Sequence, residues 1–389
     1  MAVSKPTRSI SRWPVAILAL CAIAAGLYFW HGRAPSVVTL GAVLPLTGDA
    51  ATFGRNAEQG ARLAVEEANE RHLVPGRTVE FKVEDSRGAA ADAVAATHKL
   101  IDVSGAKLMI ADVTSAGTHA ILPIVDQAKV PLVSPAASDP KLAGKSPMFS
   151  RVWPSDVYEA EVIGNYALRK AYSAIAVLYA NTDYGVAMVD QFTKLIPPQK
   201  IAMRVPLERE TLDYRPTVQR LKLAKIDSIF MVFYPEDAKR LLQQLAEQQL
   251  AVPILATATF EDPSLAHERG ADRVVFATPA PPAADDLRRQ QFVQQYKARF
   301  GAEPGVLSDT GYDAAMILIQ AYAAKDGDGP AASAYIHSLS GYTGVSGLMT
   351  FDASGDVKKP YRLRTVVGGK FDWLPADGGN AAGGTDGRP

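Results

Sequence analysis

The stretch VSPAASDP (133–140) closes a run of β-branched apolar residues with small, hydroxylated and turn-forming ones. Two physical readings account for it. Asp139 followed by Pro140 is the pattern of a helix start, with a side-chain acceptor before a residue whose φ is already helical. Small side chains are also what a loop carries when its backbone must come close to something else. Catalytic patterns are missing around it: the chain has no G-x-S-x-G elbow, no G-x-x-x-x-G-K-[ST] loop, no G-x-G-x-x-G after the first strand and no H-E-x-x-H. The six histidines (31, 72, 98, 119, 267 and 337) lack metal-ligand spacing, so no metal site is expected. DGDG (326–329) lacks the later oxygen ligands and closing glutamate of a calcium loop and reads as a helix-ending turn. LPLTG (44–48) fits a sortase anchoring pattern, yet it ends the first strand of the globular region and reads as a strand-to-loop turn. Without a nucleophile, metal or cofactor signature, the chain is read as a non-enzyme.

These residues must be positioned by the surrounding elements. The chain has 389 residues, 48% apolar and 21% charged, enough to bury a large core and to form two lobes. Lys plus Arg and Asp plus Glu are equal at 41 each, so nothing in the balance points to nucleic acid. From residue 37 onward, apolar runs alternate with segments of helical period. Strands are expected at 37–44, 78–85, 107–112 and 130–134, with helices at 56–70, 89–103 and 116–129. A second series follows, with strands at 174–180, 201–207, 227–234, 252–258 and 273–279 and a helix at 235–250. Two further helices, at 287–300 and from Ser308 to about Ala324, follow a Pro/Ala-rich break, and Ser308 reads as an N-cap. The fold class is therefore α/β, with two Rossmann-like lobes built on parallel sheets. A strand-turn-strand segment ends the ordered chain, and 375–389 reads as a disordered tail.

At the N-terminus, Lys5, Arg8 and Arg12 precede the uncharged stretch PVAILALCAIAAGLYFW (14–30). Residues 1–36 are an export signal or a membrane anchor, with everything after Arg33 outside the cytoplasm. Cys21, the single cysteine, lies inside this stretch, so no intramolecular disulfide can form. Leu20 before it departs from the lipoprotein acceptor pattern. A small-x-small cleavage point exists at AIA (22–24), but cutting there leaves the apolar end AGLYFW.

In open α/β lobes, ligands bind beyond the carboxyl ends of the strands. The loops there are GAVLPLTGDAATFG (41–54), ADVTSAGTHAILP (111–123), VSPAASDP, YANTDYG (179–185) and FYPED (233–237). In this order and at these separations they resemble the type I periplasmic solute-binding proteins of the branched-chain amino-acid (leucine/isoleucine/valine) class of ABC transporters, over 37–374. The resemblance implies lobe one at 37–153 plus 281–346 and lobe two at 154–280 plus 347–374, with crossovers near 152–155, 279–282 and 345–348. It implies a small-molecule ligand, an amino acid or related organic acid, delivered to ABC permease subunits, and no cofactor. It places the protein on the periplasmic or extracellular side, tethered to the inner membrane through 14–30 if uncleaved. By the matched motifs, Ser115, Thr118, Ala136, Ala137 and Ser138 hold a carboxylate, while Tyr184, Tyr234 and Phe53 wall the cleft; the Ser and Thr residues could equally cap helices. Tyr312 matches a further pocket-wall position or a helix core. A carboxylate at helix N-termini meets orphan N–H donors, at about 1.5–3 kcal/mol per charge-assisted bond.

One position departs from the family. Its acid facing the ligand's ammonium should fall in ILATATFEDP (254–263), where Ala258 stands. Either Glu261 or Asp262 reaches in through a shifted loop, or the ligand is not an α-amino acid. The alternative to a carrier is a membrane-tethered sensor or regulator that uses the same fold to contact a cell-envelope protein. The N-terminus is open to a direct test. An uncleaved anchor keeps the protein with membranes in high salt and retains its first residues, whereas a mature N-terminus at Ala25 or later marks a soluble carrier.

Overall fold

The computed structural model describes residues 36–209 and 211–375. All but the last residue of the expected signal or anchor, Cys21 included, and all but the first residue of the expected tail lie outside them, while Ser36 begins the first strand. Among the described residues, no helix is long and apolar enough to cross a membrane.

The first lobe is a five-stranded parallel sheet of order β2-β1-β3-β4-β5, formed by β1 (Ser36–Leu44), β2 (Arg77–Asp85), β3 (Leu108–Ile110), β4 (Leu132–Ser134) and β5 (Phe149–Arg151). Alternate residues of each strand face opposite layers. Leu40, Ala42 and Leu44 join Ile110 and Val133 in one core, whereas Val43, Met109 and Leu132 join another. The first core is capped by α1 (Ala51–Glu70), and the second by α2 (Ala90–His98) and α3 (Ser115–Ala128). Covering both faces explains why these strands read as continuous apolar runs.

The second lobe contains β6 (Ile175–Ala180), β7 (Ile201–Leu207), β8 (Ser228–Val232), β9 (Ile254–Ala256) and β10 (Val274–Pro279), all parallel. Its helices are α4 (Asp156–Arg169), α5 (Asp183–Leu195), α6 (Arg215–Leu223) and α7 (Pro235–Glu247). The chain then returns to lobe one as α8 (Leu287–Phe300), α9 (Ser308–Ala324) and α10 (Gly329–His337), and forms the small hairpin β11 (Tyr342–Gly344) and β12 (Gly347–Met349). It ends as the antiparallel pair β13 (Tyr361–Val367) and β14 (Lys370–Trp373) on the edge of β10, so the second sheet has a parallel core with an antiparallel margin.

Local differences from the sequence reading have physical causes. Helix α1 starts at Ala51, five residues before the expected 56, because its first turn packs on the end of β1: a Cβ on Gly54 would lie 1.9 Å from the Pro45 carbonyl oxygen. Close packing also joins α1 to α9, where a Cβ on Gly60 would meet the Ser308 carbonyl oxygen at 1.8 Å. Ser308 is the first helical residue rather than the N-cap. Leu307 precedes it at φ 71°, and the Ser308 hydroxyl donates to Tyr296 Oη at 3.2 Å. DGDG does turn the chain after α9, and Asp328 then caps α10, a helix the sequence reading lacked, by accepting from the Ala331 N–H at 2.8 Å.

The chain leaves the first sheet between β5 and α4 and returns from the second after β10. Before the last return, the Val345 and Ser346 N–H groups are held by Asp313 of α9 at 2.8 Å each. Residues beyond them still touch lobe one: Arg151 N donates to the Gly355 carbonyl at 3.0 Å, and its side chain pairs with Asp356 through two bonds of 2.7 and 2.6 Å. The chain joins the second sheet only at Tyr361.

Arg151 is fully buried and also donates to the carbonyls of Ala137 (3.1 Å) and Asp139 (2.9 Å). Breaking such a pair leaves an uncompensated charge, typically at about 3–5 kcal/mol. Asp356→Ala should therefore lower stability by about that much, read as a shift of the urea unfolding midpoint.

Candidate functional site

Six loops meet between the lobes at the carboxyl ends of β1, β3, β4, β6, β8 and β9. Between them lies a cavity of about 470 Å³, part of it open to solvent. Lobe one contributes Phe53, Val113, Ser115, Ala136 and Ser138, and lobe two contributes Glu159, Tyr184, Tyr234, Ala258 and Thr259. Trp153 of the first crossing and Val306–Leu307 before α9 complete its wall. The positive φ of Leu307, a bulky side chain in a region suited to glycine, places backbone strain directly at the cavity.

On the lobe-one side, Thr114 rather than Ser115 caps α3, accepting from the Gly117 N–H at 3.1 Å. That leaves the Ser115 hydroxyl at the cavity wall, where it accepts from the Asp139 N–H at 3.3 Å and ties the β3 and β4 loops together. The N–H groups of Ser115, Ala116 and Ser138 have no acceptor among the described residues, whereas those of Ala136 and Ala137 go to Ser134 Oγ at 3.2 and 2.8 Å. Ser115 and Ala136 therefore serve different ends: the first presents free donors, and the second is small enough to leave them accessible. Asp139 and Pro140 begin the 3-10 turn Pro140–Leu142, with Asp139 accepting from Lys141 N at 2.9 Å. The VSPAASDP loop thus starts a helical turn at one end, and its Ser138 N–H has no acceptor among the described residues.

On the lobe-two side, Tyr184 lies in the first turn of α5 and Tyr234 immediately precedes α7. Their ring centroids are 5.8 Å apart, and Tyr184 Oη donates to Thr257 Oγ1 at 2.8 Å. The Tyr184 polar tip is thus held by the lobe, and both tyrosines line the cavity. Glu159, one turn into α4, is almost fully buried, and its Oε1 accepts from the Ala258 N–H at 2.6 Å. Burial pushes its carboxyl well above the usual range, the neighbouring Asp156 pushes in the same direction, and the Ala258 N–H opposes them. Asp156 itself is pushed up to about 7 by burial, partly offset by the nearby Ser138 hydroxyl and Arg151. Neither of its carboxyl oxygens has a partner in hydrogen-bond geometry.

Of the residues expected from sequence, Phe53, Ser115, Ala136, Ser138, Tyr184 and Tyr234 are brought together here. Thr118 and Ala137 lie behind the wall: the Thr118 hydroxyl donates to the Asp112 carbonyl at 2.8 Å, and Ala137 packs in the core beneath. Tyr312 is a core residue against Phe292, its hydroxyl donating to Glu67 at 2.6 Å, and it does not reach this cavity. Glu261 and Asp262 do not reach it either. Glu261 pairs with Arg364 and accepts from Thr278 Oγ1 at 2.6 Å, on a separate space beyond Trp153. Asp262 caps the 3-10 turn Pro263–His267 by accepting from the Ser264 N–H at 2.9 Å. Sequence reasoning missed Glu159 and Trp153. The only signal was their place beside a lobe crossing, because an acid in a first helical turn is ordinary N-terminal chemistry. No group of three or more His, Cys, Asp or Glu side chains suited to a metal occurs among the described residues.

The mouth of the cleft is bridged as well. Arg209, from the segment after β7, reaches Asp49 of lobe one at 3.2 Å and the Gly88 carbonyl at 2.8 Å. The lobes are thus held together on both sides of the cavity.

Comparison with known proteins agrees with this architecture. The chain is 24% identical over 364 residues to a Leu/Ile/Val-binding protein homolog 1 of Brucella abortus, covering 91% of this chain and 97% of that one. It is 22% identical to the leucine-, isoleucine-, valine-, threonine-, and alanine-binding protein of Pseudomonas aeruginosa, covering 92% and 95%. The crystal structure of the leucine-binding protein LivK of Thermotoga maritima superposes with a TM-score of 0.79 at 26% identity, covering 87% of this chain and 98% of that one. A solute-binding protein of an ABC transporter from R. palustris in complex with benzoate superposes equally well, TM-score 0.79, at 21% identity with 87% and 96% covered. The family profile described as periplasmic binding protein matches residues 37–370, and with both lobes and the interlobe cavity accounted for, the chain belongs to that family.

Proposed function

We propose that the protein is an extracytoplasmic solute-binding protein whose lobes close on a small carboxylate-bearing ligand for delivery to an ABC-type permease. The observation that carries this reading is the cavity itself, walled by both lobes, with free N–H groups at the start of α3 and at Ser138 on one side and aromatic rings on the other. A carboxylate placed at Ser115 and Ser138 would meet donors whose intrahelical partners do not exist, at the positive end of a helix. An apolar body would pack on Phe53, Tyr184 and Tyr234. One relative is named for binding leucine, isoleucine, valine, threonine and alanine, another as a homolog of Leu/Ile/Val-binding proteins, and a structural neighbour was solved with benzoate; a carboxylate on a largely apolar body is common to these ligands. No bond is broken in this function, and nothing observed favours the sensor reading.

Mass spectrometry of small molecules released on denaturing the purified protein should find an amino acid or related organic acid. A preparation that yields none, and binds none in a calorimetric screen of such acids, defeats the proposal. Ser115→Ala should weaken the ligand by about 1–3 kcal/mol, the worth of a donor to a charged group, with a smaller loss of stability from the 3.3 Å bond it accepts from the Asp139 N–H. Thr118→Val should do the opposite: it removes the bond to Asp112, lowering stability while affinity holds.

A further inference from the structure

Among the described residues, Glu159 supplies the only carboxyl group lining the cavity, and no Lys, Arg or His side chain lines it. Its Oε1 is fixed by the backbone N–H of Ala258, 99 positions away, so the acid projects from α4 into the space beside the 3-10 turn Ala258–Phe260. Other groups around it increase its need for a positive partner. Asp156 sits one turn earlier on the same helix with both oxygens unpartnered, Glu261 adds a further like charge, and Tyr184 and Tyr361 face it from α5 and β13. The Tyr361 hydroxyl is buried without a partner. Arg151, whose charge reaches Asp156, is already committed to Asp356 and to two carbonyls. Among the described residues no Lys, Arg or His lines this cavity, so two neighbouring buried carboxyls there are costly unless they are protonated or a cation arrives.

Resting on the carboxylate-binding reading above, we infer that Glu159 is the specificity-determining residue of the cleft: it receives the ammonium of an α-amino acid whose carboxylate lies at Ser115 and Ser138. Sequence reasoning sought this acid near position 258 and found alanine; the structure supplies one from a different element against the backbone of that same residue. An acid lacking the ammonium gains nothing from an ionised Glu159 and is repelled by it. The sign of the proton linkage follows. In the free protein, Glu159 holds its proton to higher pH than an ordinary glutamate, and an ammonium beside it favours the ionised form. Amino-acid binding then releases a proton and tightens as pH rises toward the free-protein value, levelling off above it. Binding of a plain carboxylic acid favours the protonated form and weakens over the same interval.

The test is calorimetry of the purified protein with the common amino acids, leucine first, each paired with its deaminated acid, and with benzoate. Titrations in buffers of different ionisation enthalpy count the protons. The expected result is tighter binding of an amino acid than of its deaminated partner, with proton release. Glu159→Gln should weaken the amino acid by about 10- to 100-fold, the worth of a charge-assisted bond, abolish the release, and leave the deaminated acid within about threefold. Equal or tighter binding of the deaminated acid or benzoate by the parent overturns the role of Glu159 and leaves the carboxylate reading standing. An amino-acid preference that survives Glu159→Gln also overturns it. Absence of binding to every acid in the set overturns the proposed function itself. Should Glu159→Gln fail to fold, the proton count of the parent decides: release supports the inference, and uptake or none sinks it.

Discussion

A single buried guanidinium organises the junction on which the site depends. Arg151 ends β5 at the point where the chain leaves the first lobe, and it has no exposed surface. Its bonds reach the carbonyls of Ala137 and Asp139 in the β4 loop and both oxygens of Asp356 in the returning chain. One side chain therefore fixes the loop that carries Ser138, the start of the first crossing and the approach to the third. A planar, permanently charged fork suits this because it satisfies several acceptors at fixed angles. The carbonyls of Ala137 and Asp139 are thereby engaged by Arg151, while the Ser138 N–H between them has no acceptor among the described residues.

The cavity is built from parts whose ordinary partners have been withdrawn. Helix α3 is capped by Thr114, which frees the adjacent Ser115 for the cavity wall, and Leu307 accepts a strained φ beside it. Asp156 and Glu159 sit in a helical first turn, where the dipole favours their ionised forms, yet burial opposes this strongly enough to raise both. Natural sequences keep such costs where a ligand relieves them. The interlobe bridge of Arg209 to Asp49 and Gly88 does not line the cavity.

Much of the architecture was legible because it is periodic. Strand runs such as 37–44 and 227–234 have no polar face, which identifies a doubly covered parallel sheet, and the loops that follow them lie at the ligand-binding ends by topology alone. The composition of VSPAASDP was legible at its Asp-Pro end, where Asp139 and Pro140 begin the turn Pro140–Leu142. Boundaries were less legible: the start of α1 depended on Gly54 meeting Pro45, and Ser308 lost its capping position to Leu307 because α9 packs on Gly60.

By itself the sequence determined the alternation of strands and helices, the order of the loops that meet between the lobes and the absence of a recognisable catalytic pattern. Those properties follow from local composition and spacing. Only the tertiary structure decided which acid faces the cavity. Glu261 and Asp262, near in sequence to the expected position, are consumed by Arg364 and Ser264, while Glu159 arrives from a helix in a distant part of the chain. The physical reason is that a side chain's partners are set by how the sheet stacks its helices and by which neighbours reach it first, neither of which is written in any short stretch of residues.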